Sequence, residues 1–472
     1  MEQKQILAII VIVIIIAGIA VGVYMFLPAA PYGAVVVGQL VTPGAPSGTP
    51  SDQVIIVGIL DPMTEIQGEG AWKGAYLACD QINQAGGVTV NGKTYYFGLV
   101  SEDTFEADTN LDISKGTAAA TKIINDDNAQ FIIGGFRTES VLAYQEIIMD
   151  AKELFFGTGA STDTFCELVN GGTWPDGTVS NYARYKYFFR SMPVNSTSLG
   201  GALITYLAYL KGYMTAVTGH NITKVAIIRE DLDWTVPMDN ALKYYMPLLG
   251  LNITRDTAFP ITAQAADFAT YWQQIDDSGA QITIPVISAQ GGILMTTQYA
   301  QVQPKCLIAG IDVMSQLDTY WNDTNGACQY EVEQQATIRT NKTSLTIPFW
   351  DAFLSKYNSE PLYTAVGSYD AMYQLKQGIE DAQSLNSTVI IPYLEAYNVA
   401  NPLEGAGGNT AWTYTHDLFA GYDPVSGTIY SVVLFTQWQA GGHKECVSTG
   451  GYVYPDYIVT APLALPSWGI NT

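Results

Sequence analysis

Val54-Ile-Ile-Val-Gly-Ile-Leu60 is an unbroken apolar run that leads into the loop Asp61-Pro-Met-Thr-Glu-Ile-Gln-Gly-Glu-Gly70. The stretch Ala71-Trp-Lys-Gly-Ala-Tyr-Leu-Ala-Cys-Asp-Gln-Ile-Asn83 follows, with helical spacing, and is closed by Gly86-Gly87. A second strand then ends in an acidic loop, Ser101-Glu-Asp103. A second helix over about 113–126 precedes a third strand, Phe131-Ile-Ile-Gly-Gly135. Strands alternating with helices predict a parallel sheet. Ligands of open parallel sheets sit outside the carboxyl ends of the strands. The loops after Leu60, Val100 and Gly135 therefore converge on one crevice.

Three further stretches carry a resemblance when read with this opening. They are Ile132-Ile-Gly-Gly-Phe-Arg-Thr-Glu-Ser140, Gly159-Ala-Ser-Thr162 and Val366-Gly-Ser-Tyr-Asp-Ala-Met-Tyr373. Together they resemble the branched-chain amino-acid-binding (Leu/Ile/Val-binding-like) family of type I periplasmic substrate-binding proteins of ABC transporters. Gln437-Trp438-Gln439, Gly442 and Tyr454-Pro455 resemble the end of its archaeal and bacterial members, and a membrane-anchored archaeal member is expected. The resemblance implies an α/β, two-lobed fold, each lobe a parallel-sheet α/β sandwich, with three crossovers near 190, 311–335 and 385–410. Segments 53–190 and 330–390 would form lobe one. Segments 191–325 and 400–465 would form lobe two.

Composition agrees with an exported binder. The net charge of −23 argues against nucleic acid and anionic membrane surfaces. Charged residues make up only 14% of the chain while Tyr numbers 30, so much of the polar surface is uncharged. Residues 6–27 are apolar apart from Gly18, Gly22 and Tyr24. That length spans a hydrocarbon core of ~30 Å and exceeds a usual signal core of ~7–15 residues. An uncleaved transmembrane anchor is expected, placing the protein at the cell surface, outside the cytoplasm. Residues 28–52, rich in Pro, Gly, Ser and Val, read as a flexible stalk. Sequons at Asn195, Asn221, Asn252, Asn322, Asn341 and Asn386 suggest a glycoprotein. Cys79, Cys166, Cys306, Cys328 and Cys446 have no zinc spacing. Cys306 and Cys328 could close a disulfide outside the cell.

A ligand carboxylate would meet the free N–H groups of a helix amino end, with hydroxyls beside them. Thr138 and Ser140 suit this after the third strand. By the resemblance, Ala160, Ser161 and Thr162 form the second contact turn. For a ligand ammonium the candidate partners are Asp231, Asp233 and Asp312, with Glu230 less favoured. Trp234 could cover the ligand, Gln290 and Gly291 are placed at the cleft, and Met63, Thr64 and Glu65 could shape the pocket's far end. Arg137 has two outcomes. Inside the cleft it would select a ligand with an extra acid group. Paired with Glu139 or turned to solvent it would say nothing about the ligand.

The expected function is capture of an amino acid or similar small polar solute by hinge closure and delivery to an ABC permease. Two alternatives use the same fold: a structural surface or filament protein, and a ligand-sensing ectodomain. No P-loop, nucleophile elbow or metalloprotease motif occurs, so an enzyme is not expected, and neither is a metal or cofactor.

Overall fold

The computed structural model describes residues 31–108, 110–170, 179–288, 291–451 and 453–472. The apolar stretch 6–27 and Gln290 lie outside them. Among the described residues no helix is long and apolar enough to cross a membrane. Residues 31–34 make a turn in which the Ala34 N–H donates to the Pro31 carbonyl.

From Val35 the chain builds a two-lobed α/β fold. Lobe one holds strands β1 (Val54–Asp61), β2 (Val88–Val90), β3 (Lys93–Asp103), β4 (Phe131–Gly134), β5 (Leu154–Gly157) and β6 (Phe188–Arg190). Their order is β2-β3-β1-β4-β5-β6. All pairs are parallel except the β2–β3 hairpin. Burial on both faces is why β1, β4 and β5 read as continuous apolar runs. Helices α1 (Ile66–Gln84), α2 (Ile113–Asn125) and α3 (Thr138–Ala151) follow β1, β3 and β4.

Lobe two holds β7 (Lys224–Glu230), β8 (Asn252–Phe259), β9 (Ile282–Ile287), β10 (Leu307–Asp312), β11 (Val332–Gln335), β12 (Leu434–Gln439) and β13 (His443–Cys446). They lie in the order β13-β12-β11-β10-β9-β7-β8. Helices α4 (Ser196–Thr218), α5 (Thr235–Leu248), α6 (Ala265–Asp277) and α7 (Gly292–Val302) connect and cover them. The expected parallel sheet of lobe two carries an antiparallel edge. The chain returns late as the β12–β13 hairpin, which adds antiparallel pairs beyond β11. The boundary at 330 also moves, because β11 pairs with β10 in the second sheet. Only after Gln335 does the chain go back to lobe one, as α8 (Thr346–Tyr357), α9 (Tyr363–Ala382) and α10 (Ser387–Glu395). Helices α1 and α9 touch backbone to side: a Cβ on Gly74 would stand 1.9 Å from the Ala365 carbonyl oxygen.

Buried Lys342 staples the segments between the lobes. Its Nζ donates to the carbonyls of Ala336 (2.9 Å), Gly407 (2.6 Å) and Val432 (2.7 Å). Asp370 of α9 accepts the N–H groups of Ala406 and Gly407 at 2.7 and 2.8 Å.

Three more expectations change. From Val35 the predicted stalk lies along β3, with the N–H of Gly38 on the Ser101 carbonyl and Val41 bridged to Leu99. All five cysteines are buried free thiols, so Cys306 and Cys328 form no disulfide. Asn195 is 4% exposed and caps α4, its Oδ1 taking the Ser198 N–H, which leaves no room for a glycan.

Candidate functional site

The carboxyl ends of β4, β5, β7, β9 and β10 face a cleft between the lobes. Its cavity volume is about 60 Å³. Three tiers of lobe-one residues line it: Phe136, Arg137 and Thr138 after β4, Gly159 and Ser161 after β5, and Tyr363 at the start of α9.

The first tier is held from below by Glu106, which the sequence reading missed. Its carboxylate accepts the N–H groups of Phe136 (3.4 Å) and Arg137 (2.8 Å), the Thr104 hydroxyl (2.8 Å) and the Tyr144 hydroxyl (3.3 Å). Glu106 is fully buried, and burial pushes its pKa up to about 7 against the pull of those donors. Buried Asp61 is raised as well, first by burial and then by Glu106. The acidic loop after the second strand was the available signal, but its reach to residue 136 depends on the fold. Thr138 opens α3, is 6% exposed, and its hydroxyl is buried with no hydrogen-bond partner. Ser140 departs from the expectation. Its hydroxyl abuts Gly116 of α2, because two further residues around a helix rotate a side chain to another face. Arg137 enters the cleft: it is 4% exposed, and its Nη1 donates to the Asp108 carbonyl at 3.4 Å.

The second tier divides the turn 160–162. Ser161 lines the cleft, and its carbonyl receives the N–H and hydroxyl of Ser196 at 2.7 and 3.0 Å. Ala160 and Thr162 do not line it. Their carbonyls accept Nη1 and Nη2 of buried Arg190, each at 2.6 Å, and Arg190 pairs with Asp417 at 2.9 Å. The Thr162 hydroxyl instead engages Thr164 at 3.1 Å, as an ordinary helix-start contact.

On the lobe-two side, Trp234, Ser288, Ile311, Val313, Gln316, Gln334 and Ala336 face the cleft. Glu230 sits behind them, fully buried. Its Oε2 accepts the Trp234 indole N–H (3.1 Å), the Ser288 N–H (2.9 Å) and the Ser288 hydroxyl (2.7 Å). The three expected ammonium partners lie elsewhere. Asp231 and Asp233 are exposed to solvent outside the lining. Asp312 is fully buried, but its neighbours Ile311 and Val313 face the cleft, so strand alternation turns Asp312 to the opposite side. There it meets the Tyr320 hydroxyl at 2.9 Å. Met63, Thr64 and Glu65 are also absent from the lining.

The geometry is that of a two-lobed binder. Known proteins agree with it. A family model described as periplasmic binding protein matches residues 54–420. The branched-chain amino acid transporter substrate-binding protein of Streptococcus pneumoniae, solved with isoleucine, superposes with a TM-score of 0.64 at 16% identity, covering 83% of this chain and 97% of that one. A leucine-binding protein from Thermotoga maritima gives 0.64 at 17% identity, with 83% and 97% covered. An ABC transporter solute-binding protein from R. palustris, in complex with benzoate, gives 0.65 at 14% identity, with 88% and 99% covered. At such identities the solved structures establish the fold. With well over half of its residues matched by the family model, the chain belongs to the periplasmic binding protein family.

Proposed function

We propose that the chain is the extracytoplasmic solute-binding component of an ABC transporter. It captures a small carboxylate-bearing solute between its lobes, closes about the Lys342 staple, and presents the closed form to a membrane permease. One observation carries this reading. A cleft between two lobes brings the amino end of α3 and the buried, unpartnered Thr138 hydroxyl opposite Trp234 and Ser288. A helix amino end attracts an anion, and a buried hydroxyl without a partner is a vacancy a ligand oxygen can satisfy. Thr138, Ser161 and Trp234 are the proposed contacts. The similar proteins solved with isoleucine and benzoate support a ligand of amino-acid or aromatic-acid type. ATP would be spent by the transporter's own ATPase subunits.

The apolar stretch 6–27 would tether the protein at the cell surface. Sedimentation of the full-length chain with vesicles, against a variant lacking 6–27 that stays in the supernatant, tests the tether. Small-angle scattering and thermal unfolding with and without a panel of amino acids and aromatic acids test capture. A bound solute at about 100 times its Kd adds ~2.7 kcal/mol. A folded chain that neither contracts nor gains stability with any solute would refute solute capture.

A further inference from the structure

A second cavity lies apart from the cleft, between α9 and the segment 403–410 that Lys342 and Asp370 hold in place. Tyr369, Asp370, Tyr373 and Gln374 line it from α9, and Leu403 and Glu404 from the segment. Among the described residues it shares no lining residue with the cleft. Its cavity volume is about 280 Å³, against about 60 Å³ for the cleft. That is room for a small organic molecule, close to the lower end of ligand pockets at roughly 300–1,000 Å³.

One polar group in the lining is left open. Gln374 is 2% exposed, and its Nε2 donates to the Thr410 hydroxyl at 2.9 Å. Its Oε1 is buried with no hydrogen-bond partner. A buried amide oxygen without a donor is costly, and a ligand donor would relieve it. The aromatic groups beside it are already satisfied at their polar ends. The hydroxyls of Tyr369 and Tyr373 both donate to Gln81 Oε1 of α1, at 2.7 and 3.1 Å, so what these two residues offer a ligand is ring surface. Leu345 and Leu403 add aliphatic surface.

The charges favour a cation. Asp370 stands one helical turn before Gln374, on the same face of α9, and Glu404 lines the opposite wall. Asp370 accepts the N–H groups of Ala406 and Gly407, and Lys342 lies behind it. Glu404 is exposed and spends Oε1 on the Ser344 N–H at 2.9 Å. Among the described residues Lys376 is the one cation in the lining, and it is paired with Glu380 at 2.5 Å. A ligand anion would therefore face two carboxylates. A ligand ammonium would meet those carboxylates, the open amide oxygen and aromatic rings, which attract cations.

We propose that this cavity is a second ligand site, for a small primary amine with an aromatic body, an arylalkylamine. Its ammonium donates to Gln374 Oε1 and faces Asp370 and Glu404. Its ring lies against Tyr369 and Tyr373.

Titration calorimetry on the full-length chain tests this with three probes of nearly equal shape: phenethylamine, phenethyl alcohol and hydrocinnamate. Expected is saturable binding of phenethylamine, about 10-fold tighter than the alcohol and tighter still than the acid. Gln374→Leu should weaken the amine about 10-fold or more. Glu404→Lys, a change at an exposed position that leaves the fold intact, should weaken it about 5–10-fold and decides the matter if Gln374→Leu does not fold. Alcohol or acid binding as tightly as the amine would overturn the proposal, since the charge would then not be read. Amine binding that a folded Gln374→Leu or Glu404→Lys leaves unchanged would overturn it too, by placing the amine elsewhere. So would the lack of any heat with millimolar phenethylamine. Because the two sites share no lining residue, none of these failures touches solute capture in the cleft.

Discussion

The Glu139 carboxylate of α3 accepts the backbone N–H of Asp233 at 3.3 Å, so the helix that presents Thr138 in lobe one is tied to the loop that presents Trp234 in lobe two. A second tie lies away from it: Lys444 of lobe two pairs with Glu360 of lobe one at 3.1 Å, and Asp318 accepts the Glu360 N–H at 3.1 Å. Both span the two lobes, so separating the lobes would break them. Contacts of the protein with itself thereby hold the two lobes together.

Removing the first tie should speed opening. Glu139→Ala is expected to raise the solute dissociation rate about 3–10-fold, the worth of one hydrogen bond of about 0.5–1.5 kcal/mol. Asp233→Asn should not, because the donor is backbone. Stopped-flow fluorescence of Trp234 reads both. An unchanged rate in Glu139→Ala would show the tie to be dispensable.

The Lys342 staple should matter for folding. Lys342→Met leaves the carbonyls of Ala336, Gly407 and Val432 without their shared donor and Asp370 without its nearby cation. A loss of about 3–5 kcal/mol is expected in urea unfolding. A loss below about 1 kcal/mol would mean that water replaces the ammonium.

Stability should fall as pH rises from about 4 to about 7. Burial holds Glu106 up to about 7 and Asp370 up to about 6, and raises Asp61, Glu331 and Glu333 well above the carboxylate range. The unfolded chain releases these protons near pH 4, so the folded state binds more protons between about 4 and 7. Stability from these acids is complete below that window and is lost as pH rises through it. Burial lowers Lys342 to about 7, so above neutrality the unfolded chain holds that extra proton and this one group acts in the opposite sense. Exposed Asp112, Asp351 and Asp423, whose pKa values are lowered, act below this window. Urea midpoints should be higher at pH 5 than at pH 7.5. Glu331→Gln, uncharged at both, should narrow the gap. A midpoint that climbs steadily from pH 5 to 7.5 would contradict the assignment.

Two glycines should respond oppositely to alanine. Gly74→Ala drives a methyl into the Ala365 carbonyl and is expected to cost about 1–3 kcal/mol. Gly212, exposed on α4 with nothing within 4 Å of its Cβ position, should gain about 0.5–1 kcal/mol from helix propensity. Thermal unfolding of the two variants checks both signs.

The run Val54–Leu60, the glycine-closed helix after it and the apolar third strand are local patterns, and they sufficed to predict the α/β lobes and the loops that face the cleft. Thr138, Ser161 and Trp234 were legible for the same reason: each follows a strand of a parallel sheet, whose carboxyl ends open on the crevice. The direction of individual side chains was decided only in three dimensions. Alternation along β10 is written in the sequence, but which face carries Asp312 depends on how the second sheet packs. Ala160 and Thr162 are drawn away by Arg190, itself set by Asp417 from the far end of the chain. Glu106 reaches under the loop at Phe136 and Arg137, and β11 joins the second sheet, through pairings between segments distant in sequence. The sequence by itself determined the elements and the end of the sheet where a ligand would sit, because these follow from short-range periodicity. Tertiary structure decided which polar groups face the cleft, because that depends on long-range packing and on which buried donors meet which buried acceptors.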